Sequence, residues 1–268
     1  MRGVKPIGHV CLAIALAAAA GVVGCRRGNQ PGGPASTTTA AVSTTTPAVS
    51  TTIPAGSRSG GLGSQTVGVK LVPIQIELPA PAFRGTPVPR KEPNVEEPRL
   101  KPRPPFLAPE GTVNLARGKS VACSETAPVS GELDFVTDGD KEASDFGYLE
   151  LRPGTQWVQV DLGQRAAIYA VLVWHSHAEA RVYRDVIVQV SDDPDFLEAQ
   201  TVFNNDYDNS SGMGIGSNQG YVETSEGKLI DCQGVEGRYV RLYSKGNHID
   251  DKNHYTEVEV FGLASERG

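Results

Sequence analysis

An all-β sandwich of the jelly-roll kind is the fold class this sequence predicts for its C-terminal part. Three observations predict it. From Val113 onward, short β-type runs are separated by Gly, Asp, Asn and Ser. No window of twelve residues there carries a helical apolar stripe. Proline is almost confined to the other part of the chain: sixteen of the nineteen lie in Met1–Gly111, leaving Pro128, Pro153 and Pro194 for the rest. Many short strands with turn signals between them argue against an alternating α/β enzyme.

Charge divides at the same place. Up to Gly111 there are 12 Lys+Arg against 5 Asp+Glu, a net +7; the remainder holds 13 against 26, a net −13, and the two sum to −6 over 268 residues. An acidic folded unit on a basic, proline-rich arm excludes nucleic acid as the expected partner, because phosphate binding needs a basic face on the folded part.

In chain order, residues 1–25 read as an export signal: Arg2 and Lys5, then apolar Val10–Val23, then Gly24-Cys25. The apolar run is short for a transmembrane helix. Val22-Val23-Gly24-Cys25 resembles a bacterial lipobox, which makes Cys25 the lipidation site, and the expectation is an exported protein held at the cell envelope by an N-terminal lipid. Ordinary cleavage near Gly24, or an uncleaved anchor, is the alternative. Residues 26–66 form a Ser/Thr-rich stalk; eleven of the eighteen residues in Ala35–Thr52 are Ser or Thr, a composition that cannot offset its ordering entropy by burial. Residues 67–111 are a Pro-rich extended arm. Val67–Leu78 alternates in its second half and reads as a strand that Pro73 confines to an edge. The arm is either a stiff spacer or a segment packed over the domain by Phe83, Phe106 and Leu107.

The domain, 112–264, opens its β pattern clearly at Trp157–Leu162, which alternates. Ala167–Trp174 is continuously apolar, as expected of a strand buried on both faces. Val186–Val190, Arg238–Tyr243 and Tyr255–Phe261 complete the strands read from pattern. Cys123 and Cys232 are the cysteines of this part. In an exported protein they are compatible with a disulfide, worth up to about 5 kcal/mol in the chain-entropy model, although nothing in the sequence brings them together.

Asn114–Val121, Val136-Thr-Asp-Gly-Asp140, Trp157-Val-Gln-Val-Asp-Leu-Gly163, Val188–Asp193, Gly237–Ser244 and Glu257-Val-Glu-Val-Phe-Gly262 stand in the order of one family. The sequence resembles the discoidin-like, coagulation-factor type C domains and their relatives, the galactose-binding-like jelly rolls found as carbohydrate-binding modules and fucose lectins. The resemblance covers Thr112 to Leu263. It implies an eight-stranded jelly roll, usually noncatalytic, that binds glycans or lipid head groups through loops at one end.

The resemblance also implies a structural calcium held by Asp138, the carbonyl of Asp140, and Glu257, with Ala143 standing where the family commonly has Thr. Hard oxygen ligands from a turn and a distant strand suit Ca²⁺; an Asp-Gly turn with solvated carboxylates is the alternative. Fucose-binding relatives grip sugar hydroxyls with a His and two Arg. Here His175, His177, Arg181 and Arg184 match that set loosely in type, without its cysteine spacing. Strand alternation places His175 and His177 on one side, where they serve as sugar contacts, as zinc ligands with His248 or His254, or as polar residues of a strand end. Asn204–Gly216, a long polar loop, is expected to wall the ligand mouth, with Asp206 as an oxygen donor and Tyr207 as a stacking surface; His248 and Asp250-Asp251 form another wall.

No Gly-x-Ser-x-Gly and no His-Glu-x-x-His occurs. The expected function is a noncatalytic, surface-tethered binding module for extracellular carbohydrate, stabilised by calcium. The alternatives are a protein-docking or structural module of the envelope and a metal-dependent hydrolase using the histidines.

Overall fold

The structure, a computed structural model, describes residues 69–83 and 92–265. The export signal, Cys25 and the stalk lie outside the described residues. In chain order the strands are β1 (Leu71–Pro73), β2 (Leu107–Pro109), β3 (Val113–Asn114), β4 (Val121–Cys123), β5 (Leu149–Leu151), β6 (Gln156–Trp174), β7 (Ile187–Ser191), β8 (Gln200–Asn204), β9 (Lys228–Ser244), β10 (Asn253–Tyr255) and β11 (Glu257–Ala264). A single 3-10 turn, Leu133–Val136, interrupts them, and no α-helix occurs among the described residues.

Trp157–Leu162 and Ala167–Trp174 are one strand, β6, whose pairing breaks between Asp161 and Ala166. Before the break β6 pairs with β4 and with Tyr239–Ser244 of β9; after it, with β11 and with Lys228–Gly237 of β9. Asp161 holds the corner, accepting from the Gly163 N–H (2.8 Å) and from Arg238 (Nε, 2.7 Å). The seven-stranded sheet runs β3-β11-β6-β9-β7-β8, with β4 on β6, and every pairing is antiparallel. Val158, Val160, Val240 and Leu242 from one half share a single core with Ile168, Val171, Val173, Val258 and Val260 from the other. The two halves therefore face each other as a sandwich.

Alternation then puts Ala170, Leu172 and Trp174 on the outer side of β6. They are fully buried all the same, in a second cluster with Phe261, Ile74 and Ala108, flanked by Ile76 and Phe106. The cover is the arm: β1 and β2 form a two-stranded antiparallel ribbon on this face. Pro73 sits in β1, which pairs on one side only, as its missing N–H requires. Of the anchors expected from sequence, Phe106 packs here, whereas Leu107 is exposed and Ala108 takes the inward position.

Candidate functional site

β6 ends at Trp174, so the alternation expected to carry His175 and His177 outward no longer applies to them. Both imidazoles are fully buried. His175 Nδ1 lies 2.6 Å from Glu223 Oε1, and its ring stacks on Tyr183 at 4.3 Å and 18°. His177 Nε2 meets the Lys141 carbonyl at 2.8 Å. Neither histidine contacts solvent, and their bonding nitrogens face different elements. This corrects the sugar-contact expectation for both, and the zinc expectation fails because among the described residues neither belongs to a set of three ligand atoms converging within 4.8 Å. His248 is likewise engaged with backbone: its Nδ1 accepts the Val182 N–H at 3.0 Å. His254 is buried, shares Tyr183 Oη at 2.8 Å, and faces Glu150 at 3.3 Å. Burial lowers its pKa to about 4, so it is neutral at neutral pH.

Asp206 is also corrected. It is buried, and its oxygens clasp the loop's own turn by accepting from the Ser210 and Ser211 N–H groups and from Ser211 Oγ. Burial alone would raise the Asp206 pKa, but these bonds hold it below the ordinary carboxylate range. Among the described residues, Asp185, Asp206 and Asp208 are the acidic side chains whose oxygens converge within 4.8 Å. Lys245 stands 4.0 Å from Asp185 and donates to the Ser210 carbonyl at 2.6 Å.

Arg181 and Tyr207 do reach the surface. Arg181 NH1 donates to Asp250 Oδ2 at 2.7 Å with its side chain 14% exposed. Burial would raise the Asp250 pKa, yet hydrogen bonds from Arg181 and Asn247 keep it low. One residue on, Asp251 accepts from Arg184 at 3.1 Å. Arg184 in turn lines a cleft of about 240 Å³ with Tyr207, Asp208, Ser210 and the arm residues Glu92, Pro93 and Val95. Tyr207 is 44% exposed there. At the Arg181 end, Tyr148 presents a half-buried ring edge-on to His254 at 4.8 Å, beside Lys252, which is paired with Glu150 at 2.7 Å. The loops thus build two Arg–Asp pairs, one sharing a cleft with Tyr207 through Arg184 and the other lying near Tyr148 through Arg181 and Asp250. Sequence reasoning missed Tyr148, Glu150 and Lys252; the only signal for the first two was the β-type run Tyr148-Leu-Glu-Leu151. A larger cleft, about 460 Å³, lies between the arm and Tyr221–Leu229; in its lining Lys228 pairs with Glu96 and Arg99 with Glu226.

At the expected calcium turn, Asp138 and Asp140 are exposed and Glu257 is fully buried. Asp138 Oδ1 accepts the Asp140 N–H at 2.7 Å, and Glu257 Oε2 accepts the Gly139 N–H at 3.0 Å, so turn and strand are joined. Gly139 has φ +82°, a conformation that favours glycine. Glu257 Oε1 is buried with no partner, and burial pushes its carboxyl up to about 8. A desolvated carboxyl with a free oxygen beside a turn aspartate fits a hard cation; Ala143 offers no side-chain oxygen.

Cys123 and Cys232 are free thiols, which corrects the disulfide expectation. Each sits on a different strand and points at a backbone carbonyl near its own position: Cys123 at Glu125 (3.1 Å), Cys232 at Ile230 (3.6 Å).

No curated protein matches the chain. Similar solved structures include a family 89 glycoside hydrolase from Clostridium perfringens in complex with PUGNAc, at 19% identity and a TM-score of 0.44, covering 58% of this chain and 15% of that one. The CBM32 of AlyQ, in complex with 4,5-unsaturated mannuronic acid, is 20% identical with a TM-score of 0.40, over 53% of this chain and 93% of that one. A Streptococcus pneumoniae fucose binding module is 20% identical with a TM-score of 0.39, over 55% and 96%. This chain thus spans only 15% of the length of the hydrolase. Residues 135–242 match the family model described as NedA-like, galactose-binding domain. That match lies on the antiparallel sandwich described above, and it marks residues 135–242 as a galactose-binding-like, F5/F8 type C domain.

Proposed function

We propose that this protein is a noncatalytic, surface-tethered module that binds extracellular carbohydrate, is stabilised by calcium, and is held at the envelope by a lipid on Cys25. The observation that carries the reading is the two pairs Arg181–Asp250 and Arg184–Asp251, with Tyr148 near the first and Tyr207 sharing a cleft with the second. Planar guanidinium donors alternating with carboxylate acceptors match vicinal hydroxyls, and a tyrosine face accepts the apolar side of a sugar ring. The family match over 135–242 supports the same ligand class. The lipid and tether rest on the sequence pattern around Cys25 alone.

A glycan array with the chain starting after Cys25, run with and without calcium, tests the ligand. Binding of galactose-type glycans is expected, with Arg181→Ala and Tyr207→Ala each weakening it about tenfold or more. No binding of any glycan by the wild-type chain would overturn the reading.

Calcium would be held by Glu257, Asp138 and the Asp140 carbonyl, where its charge keeps the buried Glu257 ionised. Chelator is then expected to lower the melting temperature of the wild type and to leave Glu257→Gln unaffected, since a ligand bound only by the native state stabilises it. Equal melts of the wild type with and without chelator would remove the ion from the account.

A further inference from the structure

The arm does more than cover the outer face of β6. Past β1 it returns to the loop end of the sandwich. Asn94 and Glu96 bracket Gly220 in a parallel bridge, with Glu96 N–H donating to the Gly220 carbonyl and Gly220 N–H to the Asn94 carbonyl, both at 2.8 Å. Further along, Glu226 accepts from Arg99 at 2.6 Å, and Arg103 donates to the Glu226 and Gly227 carbonyls at 2.8 and 3.0 Å. The segment Gly220–Gly227 is thereby pinned to the arm at both ends.

In its middle stands Glu223, which is buried. Its N–H donates to the Arg181 carbonyl at 2.8 Å, and its carboxylate holds His175. Arg181 carries the pair with Asp250. A second route reaches the same wall from the other side: Glu92 accepts from Arg184 NH2 at 3.1 Å while Arg184 NH1 donates to Asp251 at 3.1 Å. Between the two routes, Glu92, Pro93 and Val95 face Tyr207 across the 240 Å³ cleft.

We propose that residues 92–96 of the arm form a wall of the ligand mouth, and that Glu92, Glu223 and Glu226 are positioning residues for the Arg181–Asp250 and Arg184–Asp251 pairs. The inference rests on the mouth assigned above and adds that the arm sets its geometry. A proline ring and a valine opposite Tyr207 give a sugar a second apolar contact, with the Glu92 carboxylate beside it. Ligand selectivity then depends on arm sequence that lies outside the 135–242 family match.

The test uses the chain starting after Cys25, comparing wild type with Glu92→Gln and with Arg99→Ala/Arg103→Ala. Hydrogen exchange is followed in 179–184 and 246–252, with β4 and its β6 partners Val158–Val160 as the reference, and galactose is the binding probe. The expected result is about tenfold faster exchange in both mouth segments, unchanged protection of β4, and weaker galactose binding. Wild-type exchange in 179–184 and 246–252, whether or not the arm itself loosens, overturns the proposal. Faster exchange in β4 as well assigns these residues to global stability and also overturns it. If the mouth responds but galactose binds neither wild type nor variants, the positioning stands and the galactose ligand falls. A normal galactose affinity in variants with an unaltered mouth has the opposite meaning.

Discussion

Glu223 and His175 form a fully buried pair at 2.6 Å, and breaking such a pair by removing one partner leaves the other stranded in a low-dielectric site. Glu223→Ala is expected to cost about 3 kcal/mol, lowering the melting temperature by roughly 10 °C for a domain of this size; a calorimetric melt checks it. His254 supplies a pH dependence. Its folded pKa, lowered by burial to about 4, lies below the value of about 6.5 in the unfolded chain. Between those values the unfolded state binds the proton and the folded state does not. The stabilisation is therefore complete above pH 6.5 and is lost as pH falls toward 4. Buried carboxylates such as Asp206 add a slope of the same sign at lower pH. The difference between wild type and His254→Gln isolates the histidine, and a wild-type curve no steeper than the variant's between pH 7 and 4.5 would contradict it. The pair His175-x-His177 was legible as a feature, but its burial was not: periodicity describes a strand and says nothing once the strand has ended.

Among the elements, β6 was the most legible. A continuous apolar run at Ala167–Trp174 means burial on both faces, and the sequence could predict that a second cover exists without saying what it is. The cover is the β1–β2 ribbon, with Ile74, Phe106 and Ala108 against Leu172 and Trp174. A chain begun at Thr112, at the edge of the family resemblance, is therefore expected to expose an apolar patch. Each uncovered large side chain forfeits roughly 1.5–3 kcal/mol. A lower melting temperature together with binding of an apolar dye checks this, and a native-like melt of that truncated chain would contradict it. The first half of β9 escaped sequence reading, because Lys228–Gly237 mixes Asp, Gln, Glu and Gly with its apolar residues and owes its strand form to pairing with β6. β8 was hidden for a similar reason, as an edge strand running into the Asn204–Gly216 loop.

For the molecule as a whole, two cysteines share one sandwich core yet stay reduced. Burial pushes the Cys232 thiol up to about 12, which leaves almost no thiolate to react. Dithiothreitol is thus expected to leave the melting temperature unchanged, and a thiol reagent is expected to label Cys232 only as the domain unfolds; labelling in the native protein, or a melt lowered by reductant, would contradict this. Six ordered motifs determined the fold class and the family resemblance by sequence alone, because strand periodicity and turn chemistry are local properties. Tertiary structure decided which of the candidate residues reach the surface. It buried His175, His177 and Asp206, left Arg181 and Tyr207 at the surface with Tyr148, and brought Glu92 to Arg184 from a distant part of the chain. Contacts between residues far apart in sequence are set by how the two halves of the sheet close over the core, and no local pattern carries that information.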